Sequence, residues 1–307
     1  MTAEWVAGTV RARALLNRRL GTAALRELAV APSLAEALPA VADSPYHRYV
    51  RTGQTLAQAQ RGIADGLLWQ LRVLAGWQPR AGAEAVRLLA GWFEADNIAQ
   101  HARLLAGFER PEPYRLGGLT SGWLRFASTT SPAELRTALA RSAWGDPGAD
   151  APSAIATGVQ LSWARRVAAG VPEAAAWASG GAAVLVARTR FLHGRRLTDE
   201  AAARAADVLG HAAVEAADFT GFAERLPAAA RWSLAEVTGT GDLWRAEARW
   251  WTRVERDGFA LLGRPGFGVD PVLGTIAVLA ADAWRGRAAL ELAARGGLGM
   301  AVLDALV

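Results

Sequence analysis

The sequence has no cysteine and no lysine, only three tyrosines and two methionines, and more than half of its aromatic residues are its 13 tryptophans. Without cysteine there can be no disulfide, no thiol nucleophile and no cysteine-based zinc site. Without lysine the chain cannot supply the phosphate-binding lysine of a P-loop. No Gly-x-Gly-x-x-Gly sits between a strand and a helix either, so nucleotide binding by these routes is not expected. The four histidines, His47, His101, His193 and His211, stand far apart and share no metal-ligand spacing. They read as surface or helix-end residues, and neither a metal nor a cofactor is expected.

Charge of one sign is not concentrated anywhere. All 34 basic residues are arginines, interspersed among 29 acids, and the net charge of +5 forms no basic stripe. The all-arginine usage reads as coding bias, and nucleic acid is not an expected partner. The balance still suits work beside an acidic protein or an anionic membrane surface. The exception worth weighing is Trp244, Trp250 and Trp251 beside Arg245, Arg249 and Arg253 on one expected helix. Such a face can stack bases, but packed tryptophans and solvated arginines are the simpler reading.

Long hydrophobic runs are also missing. The run between Asp270 and Asp282 is too short for a bilayer crossing, which needs roughly 20 residues. Arginines at 11, 13, 18 and 19 occupy the place where a secretory signal needs its apolar stretch, so export is not expected. A soluble polypeptide is the expectation.

What is present is alanine, leucine and helix punctuation. With 52% hydrophobic and 21% charged residues and few β-branched alternations, the 307-residue chain reads as all-α. Helices are expected over 3–30, from Ser33 to about Pro45, 52–74, 83–108, 153–169, 172–192, 242–260 and from Asp270 onward. Ser33 with Glu36, and Ser131-Pro132 with Glu134, are start signals, and Thr198 should cap a helix reaching Asp218. Asp270, followed by Pro271, should cap the last helix. The loops "GFERPEPYRLGGLTSG" and "HGRRLTDE" mark boundaries, giving helical domains over 1–112, 113–197 and 198–307.

A repeat is suggested. Glu94-Ala-Asp-Asn97-Ile98 lies over Asp282-Ala-Trp-Arg285-Gly286 at an offset of 188, and half that offset lands in "VLVARTRFLHGRR" with poor residue matching. In 270–297, Ile276, Leu279, Ala283, Leu290 and Ala294 recur at helical spacing and suit packing between helices. Asp282, Arg285 and Arg287 fall on or near another side, with Asp282 and Arg285 spaced for an i,i+3 pair. Gly274 and Gly286 permit close helix approach. The acid pairs Glu94/Asp96 and Asp218/Glu224 form no Asp-x-x-Asp-Asp magnesium motif.

"PVLGTIAVLAADAWRGRAAL" resembles the late signature of the C/d family of central socket proteins in V-type and archaeal-type ATPases, through Pro271, Leu273, Gly274, Asp282 and Arg287. Arg285 stands where the family usually has asparagine, and Gly286 where it has leucine. "WFEADNIAQHARLLAG" resembles the earlier signature through Phe93, Glu94, Asn97, Ile98, Arg103 and Leu104. The Arg-Ala-Arg helix at 11–13 and Ser44-Pro45-Tyr46 fit it loosely. The matches cover about a quarter of the chain, and their order and spacing carry the likeness rather than any single motif.

The resemblance implies three similar helical domains arranged as a funnel with pseudo-threefold symmetry. It implies a non-catalytic central-stalk socket of a rotary motor, peripheral on the cytoplasmic face of the membrane. There it would join the proteolipid ring to the central shaft subunits and couple ATP hydrolysis or synthesis to proton or sodium transport, without binding nucleotide itself. Glu94, Asn97, Arg103, Asp282, Arg285 and Arg287 would tie helices together or line the socket. Two other readings of the residues remain beside it: a helical enzyme working through acids in a cleft, and a helical scaffold or adaptor.

Overall fold

In the computed structural model, residues 3–297 are described, and among them every regular element is helical. In chain order the α-helices are α1 (Glu4–Leu15), α2 (Gly21–Val30), α3 (Leu34–Ala42), α4 (Leu56–Gly76), α5 (Arg80–Leu105), α6 (Trp123–Ala127), α7 (Pro132–Ala140) and α8 (Pro152–Gly170). They continue with α9 (Ala175–Ala187), α10 (Asp199–Leu209), α11 (His211–Val214), α12 (Phe219–Arg225), α13 (Ala228–Arg231), α14 (Leu243–Leu262) and α15 (Val269–Ala294). Short 3₁₀ turns join several of them, and α9 runs into a π-helical turn over Arg188–Leu192.

Start signals in the sequence account for many of the helix beginnings. Ser33 accepts the Glu36 N–H, Ser131 the Glu134 N–H and Thr198 the Ala201 N–H, while Thr55 and Gln58 form a reciprocal capping box on α4. Three expectations shift. The stretch 3–30 is two helices, because the chain breaks after Arg18 and Gly21 adopts a left-handed φ of 77° that glycine tolerates. The helix after Thr198 ends at Leu209 for the same reason, with Gly210 at φ 82°. Asp270 does not cap α15. Gly268 precedes that helix, and Asp270 lies in its first turn, paired with Arg264 at 3.1 Å.

The chain gathers into two compact units, one holding the residues up to Val86 and those from Trp251 onward, the other Arg87–Trp250. The division falls inside α5 and α14. This grouping joins the two ends of the chain and differs from the sequential thirds 1–112, 113–197 and 198–307. In the first unit α15 is the central element, packed by α1, α2, α3 and α4. It is buried on nearly every side, as a helix enclosed by others must be. Ile276, Leu279, Ala283 and Leu290 are in the core as expected, but Ala294 is exposed and Ala293 takes the buried place. Asp282 and Arg285 are enclosed as well.

Glycine makes the close approaches there. A Cβ on Gly274 would stand 2.6 Å from the Gly258 carbonyl oxygen, and one on Gly286 would stand 2.9 Å from Leu20. In the second unit α8 and α9 pack together, flanked by α10 and α13. Trp163 donates its indole N–H to the Leu88 carbonyl at 2.8 Å, and Trp250 donates to that of Trp177 at 2.7 Å. Among the described residues no helix is long and apolar enough to cross a membrane.

Candidate functional site

Two carboxylates organise the two units. On α5, Glu94 is 1% exposed. It accepts the N–H groups of Ser121 and Gly122, each at 2.8 Å, the Ser121 hydroxyl at 2.7 Å and the Thr120 hydroxyl at 3.0 Å. Those N–H groups stand at the amino end of α6, where a helix leaves donors without intrahelical partners and where a negative charge is favoured. On α15, Asp282 is 3% exposed and accepts the N–H groups of Leu20 and Gly21, both at 2.9 Å, at the amino end of α2. The residues that the sequence pairs at an offset of 188 therefore do the same work in separate units.

The likeness extends downstream of each cap. Leu25, Leu28, Ala37, Val41 and Tyr46 are buried in the first unit, and Trp123, Phe126, Leu135, Leu139 and Trp144, each 98 positions later, are buried in the second. The turn that follows each second short helix is built alike. Ser44 donates its hydroxyl to the Val41 carbonyl at 2.6 Å and accepts the Tyr46 N–H at 3.1 Å. Ser142 donates to the Leu139 carbonyl at 2.7 Å and accepts the Trp144 N–H at 3.1 Å. The aromatic residue then returns to the cap, in one case through a hydroxyl that itself donates to the carboxylate. Trp144 donates its indole N–H to the Ser121 hydroxyl at 3.1 Å, and burial beside Asp282 pushes the Tyr46 phenol well above its usual value.

A different polar group serves the stretch between α9 and α13. Arg190, in the π-helical turn, donates to the carbonyls of Val214 and Ala216, both at 2.6 Å. Here a cation holds carbonyls at the carboxyl end of a short helix, where carboxylates elsewhere hold N–H groups at an amino end. Burial lowers the Arg190 pKa. Asp218 accepts the Gly221 N–H and starts α12, so it is a cap rather than half of an acid pair.

Burial acts on a charged group at each site. Burial raises the Asp282 pKa, against the lowering effect of the Gly21 and Leu20 N–H groups and of Arg19, while Glu255 adds to the rise. Near Glu94 lies Arg166, over the Trp144 ring at 5.0 Å; burial lowers its pKa and the Glu94 charge opposes that. A buried carboxylate whose oxygens already accept several donors is suited to holding backbone in place rather than to attacking a substrate.

The remaining sequence-derived residues have separate places. Asn97 is 2% exposed and pairs with the Tyr114 backbone in both directions, donating to its carbonyl at 3.0 Å and accepting its N–H at 2.7 Å. Arg103 is exposed over the Phe108 ring at 5.0 Å and joins neither cluster. Arg285 does not pair with Asp282. It is buried and meets Glu255 at 2.6 Å, because the Asp282 oxygens face α2. Arg287 is half-buried, its Nε has no partner, and its carbonyl accepts from Gln60 at 3.2 Å. His101 is buried against Thr129 rather than on the surface.

Each arginine of the tryptophan-rich helix has a local partner: Arg245 with Asp242, Arg249 with Glu236, and Arg253 and Arg256 both with Asp257. Trp251 stacks on Trp284 with centroids 5.6 Å apart, so packing accounts for part of that face. Sequence reasoning missed the donors on which both caps depend: Leu20, Gly21, Thr120, Ser121 and Gly122. The one available signal was the pair of Ser-x-aromatic turns at 44–46 and 142–144. Among the described residues no group of three or more His, Asp and Glu is placed to hold a metal ion. Compared with protein-family models and with curated proteins, the chain matches none.

Proposed function

We propose that this chain is a non-catalytic socket component of a V-type or archaeal-type rotary ATPase, seated peripherally on the cytoplasmic side of a membrane proteolipid ring and receiving the central shaft. One observation carries the reading. Glu94 and Asp282, the carboxylates of the two matched signatures, are both buried and both close the amino end of the first short helix in a similar helix pair. Repeated modules locked by internal polar caps are what a stiff collar requires, and in this reading the stretch held by Arg190 would be the third of a pseudo-threefold funnel. In this reading the signature residues transmit torque by keeping helices fixed, and ATP is hydrolysed or made on other subunits.

Purification of the chain from its native membrane in mild detergent tests this. The expected result is a proteolipid and two small shaft subunits travelling with it in fixed proportion. An intact chain recovered without any of them overturns the proposal. An enzyme working through acids in a cleft is less well supported, because Glu94 and Asp282 are occupied by backbone donors.

A further inference from the structure

Beside the π-helical turn the second unit contains a cavity of about 50 Å³, lined among others by Ser153, Thr157, Thr189, Arg195, Arg196 and Thr198. A water needs about 10–15 Å³ measured in this way, so the space suits a small polyatomic ion rather than a nucleotide. No carboxylate lines it. Arg195 and Arg196 are exposed and, unlike the arginines of the tryptophan-rich helix, pair with no acid among the described residues.

Ala154, Leu197 and Ala201 give apolar wall, and the remaining lining residues carry hydroxyls. Helix α8 begins here with Pro152, and its preceding Ala151 offers no side-chain cap, which leaves the Ser153 N–H at a positive helix end. Thr198 is already committed, accepting from Ala201 and donating to the Pro147 carbonyl at 2.7 Å. Thr189 is not. The residue is 9% exposed, it lines the cavity, and no hydrogen bond of its hydroxyl is found among the described residues. Its oxygen is not among the sealed polar atoms that lack a partner, so the hydroxyl is accessible and free to donate to a ligand in the cavity it lines. Thr189 also lies within the π-helical turn, a rare backbone form that frequently accompanies functional sites. The loop is held in place by the Arg195 N–H, which donates to the Thr189 carbonyl at 2.9 Å.

We infer that this cavity binds a phosphate group, with the Arg195 and Arg196 guanidinium groups neutralising its charge and the Thr189 hydroxyl and Ser153 N–H donating to its oxygens. Two planar guanidinium groups with neutral donors between them match a tetrahedral dianion, which has oxygens on every side. Phosphate binding to the isolated chain needs no ring or shaft, so it stands or falls apart from the rotary-motor reading.

Calorimetric titration of the full chain with inorganic phosphate, against chloride at equal ionic strength, tests it. Phosphate should bind, and Arg195→Ala/Arg196→Ala on the exposed loop should weaken it about tenfold or more, as loss of a charge-assisted bond does. Thr189→Val keeps the shape and the net charge, so its expected weakening of about threefold or more separates a built site from general attraction to arginine. Sedimentation with phosphatidylcholine vesicles, with and without phosphatidic acid, identifies the source of the group. Binding that requires phosphatidic acid and is weakened by Thr189→Val assigns the site to a lipid headgroup. Binding of inorganic phosphate alone assigns it to the free ion. No response to either probe, or affinities unchanged by all the substitutions in correctly folded protein, overturns the inference.

Discussion

Glu94 and Asp282 occupy matching places in the two units, yet they are provided for differently. Glu94 receives two backbone N–H groups and two hydroxyls, from Thr120 and Ser121. Asp282 receives two backbone N–H groups, and the side chain that returns to it is the Tyr46 phenol. The second unit thus surrounds its charge with two hydroxyls beside the two N–H groups, and the first with two N–H groups and a single phenol. The difference teaches that the position of a cap can be kept while its chemistry is rebuilt, provided that the helix amino end still meets a carboxylate.

Deleting the carboxylates should give the largest effects. Glu94→Ala leaves two buried N–H groups and two hydroxyls without their acceptor and should cost about 3–5 kcal/mol, whereas Asp282→Ala should cost about 2–3 kcal/mol because removing a charge disfavoured by burial offsets part of the loss. Denaturant unfolding measures both. Hydrogen exchange should place the damage at 115–127 for the first variant and at 19–30 for the second. If Asp282→Ala proves the more harmful, the number of donors is not what separates the two caps.

A smaller effect tests whether the modules share a construction rule. Ser44→Ala and Ser142→Ala each remove one hydroxyl that bridges a carbonyl and an N–H in the same turn geometry. Each should cost about 1 kcal/mol, and because the sites lie in different units the double variant should lose the sum. Unequal losses, or a double variant far from additive, would break the equivalence of the two turns.

Much of the helical layout was legible because it is local. Ser33, Ser131 and Thr198 announce helix starts through their own hydroxyls, and the apolar spacing of Ile276, Leu279 and Leu290 records a buried face. The breaks at Gly21 and Gly210 were not legible, since alanine and leucine continue on either side and only tertiary packing shows that the backbone turns there. The site was half legible. The offset of 188 joined Glu94 to Asp282, but the partners of Asp282 lie 261 and 262 residues away in sequence, and no spacing rule reaches that far. The same distance explains the misplaced Asp282–Arg285 pair: neighbours on one helix look like partners until the elements that compete for them are known.

Acidity should give the smallest effect and sharpen the contrast most, because the two units respond with opposite sign. Burial lowers the His101 pKa below the ordinary 6.5, with Arg110 adding to the fall and the Thr129 carbonyl opposing it. A base with a depressed folded pKa contributes stability in full above 6.5 and loses it as pH falls through the folded value, so the second unit should weaken in mild acid. Asp282 has a folded pKa raised above 3.8. Its contribution is therefore fully present below 3.8 and is lost as pH rises through the folded value. Unfolding free energies compared between the wild type and His101→Gln should diverge as pH increases toward neutrality, with the wild type gaining. The same comparison with Asp282→Asn should run the other way, the wild-type advantage being greatest in acid and shrinking as the carboxylate ionises. Parallel slopes for the two variants would mean that burial does not govern Asp282, and that the backbone donors of α2 outweigh it.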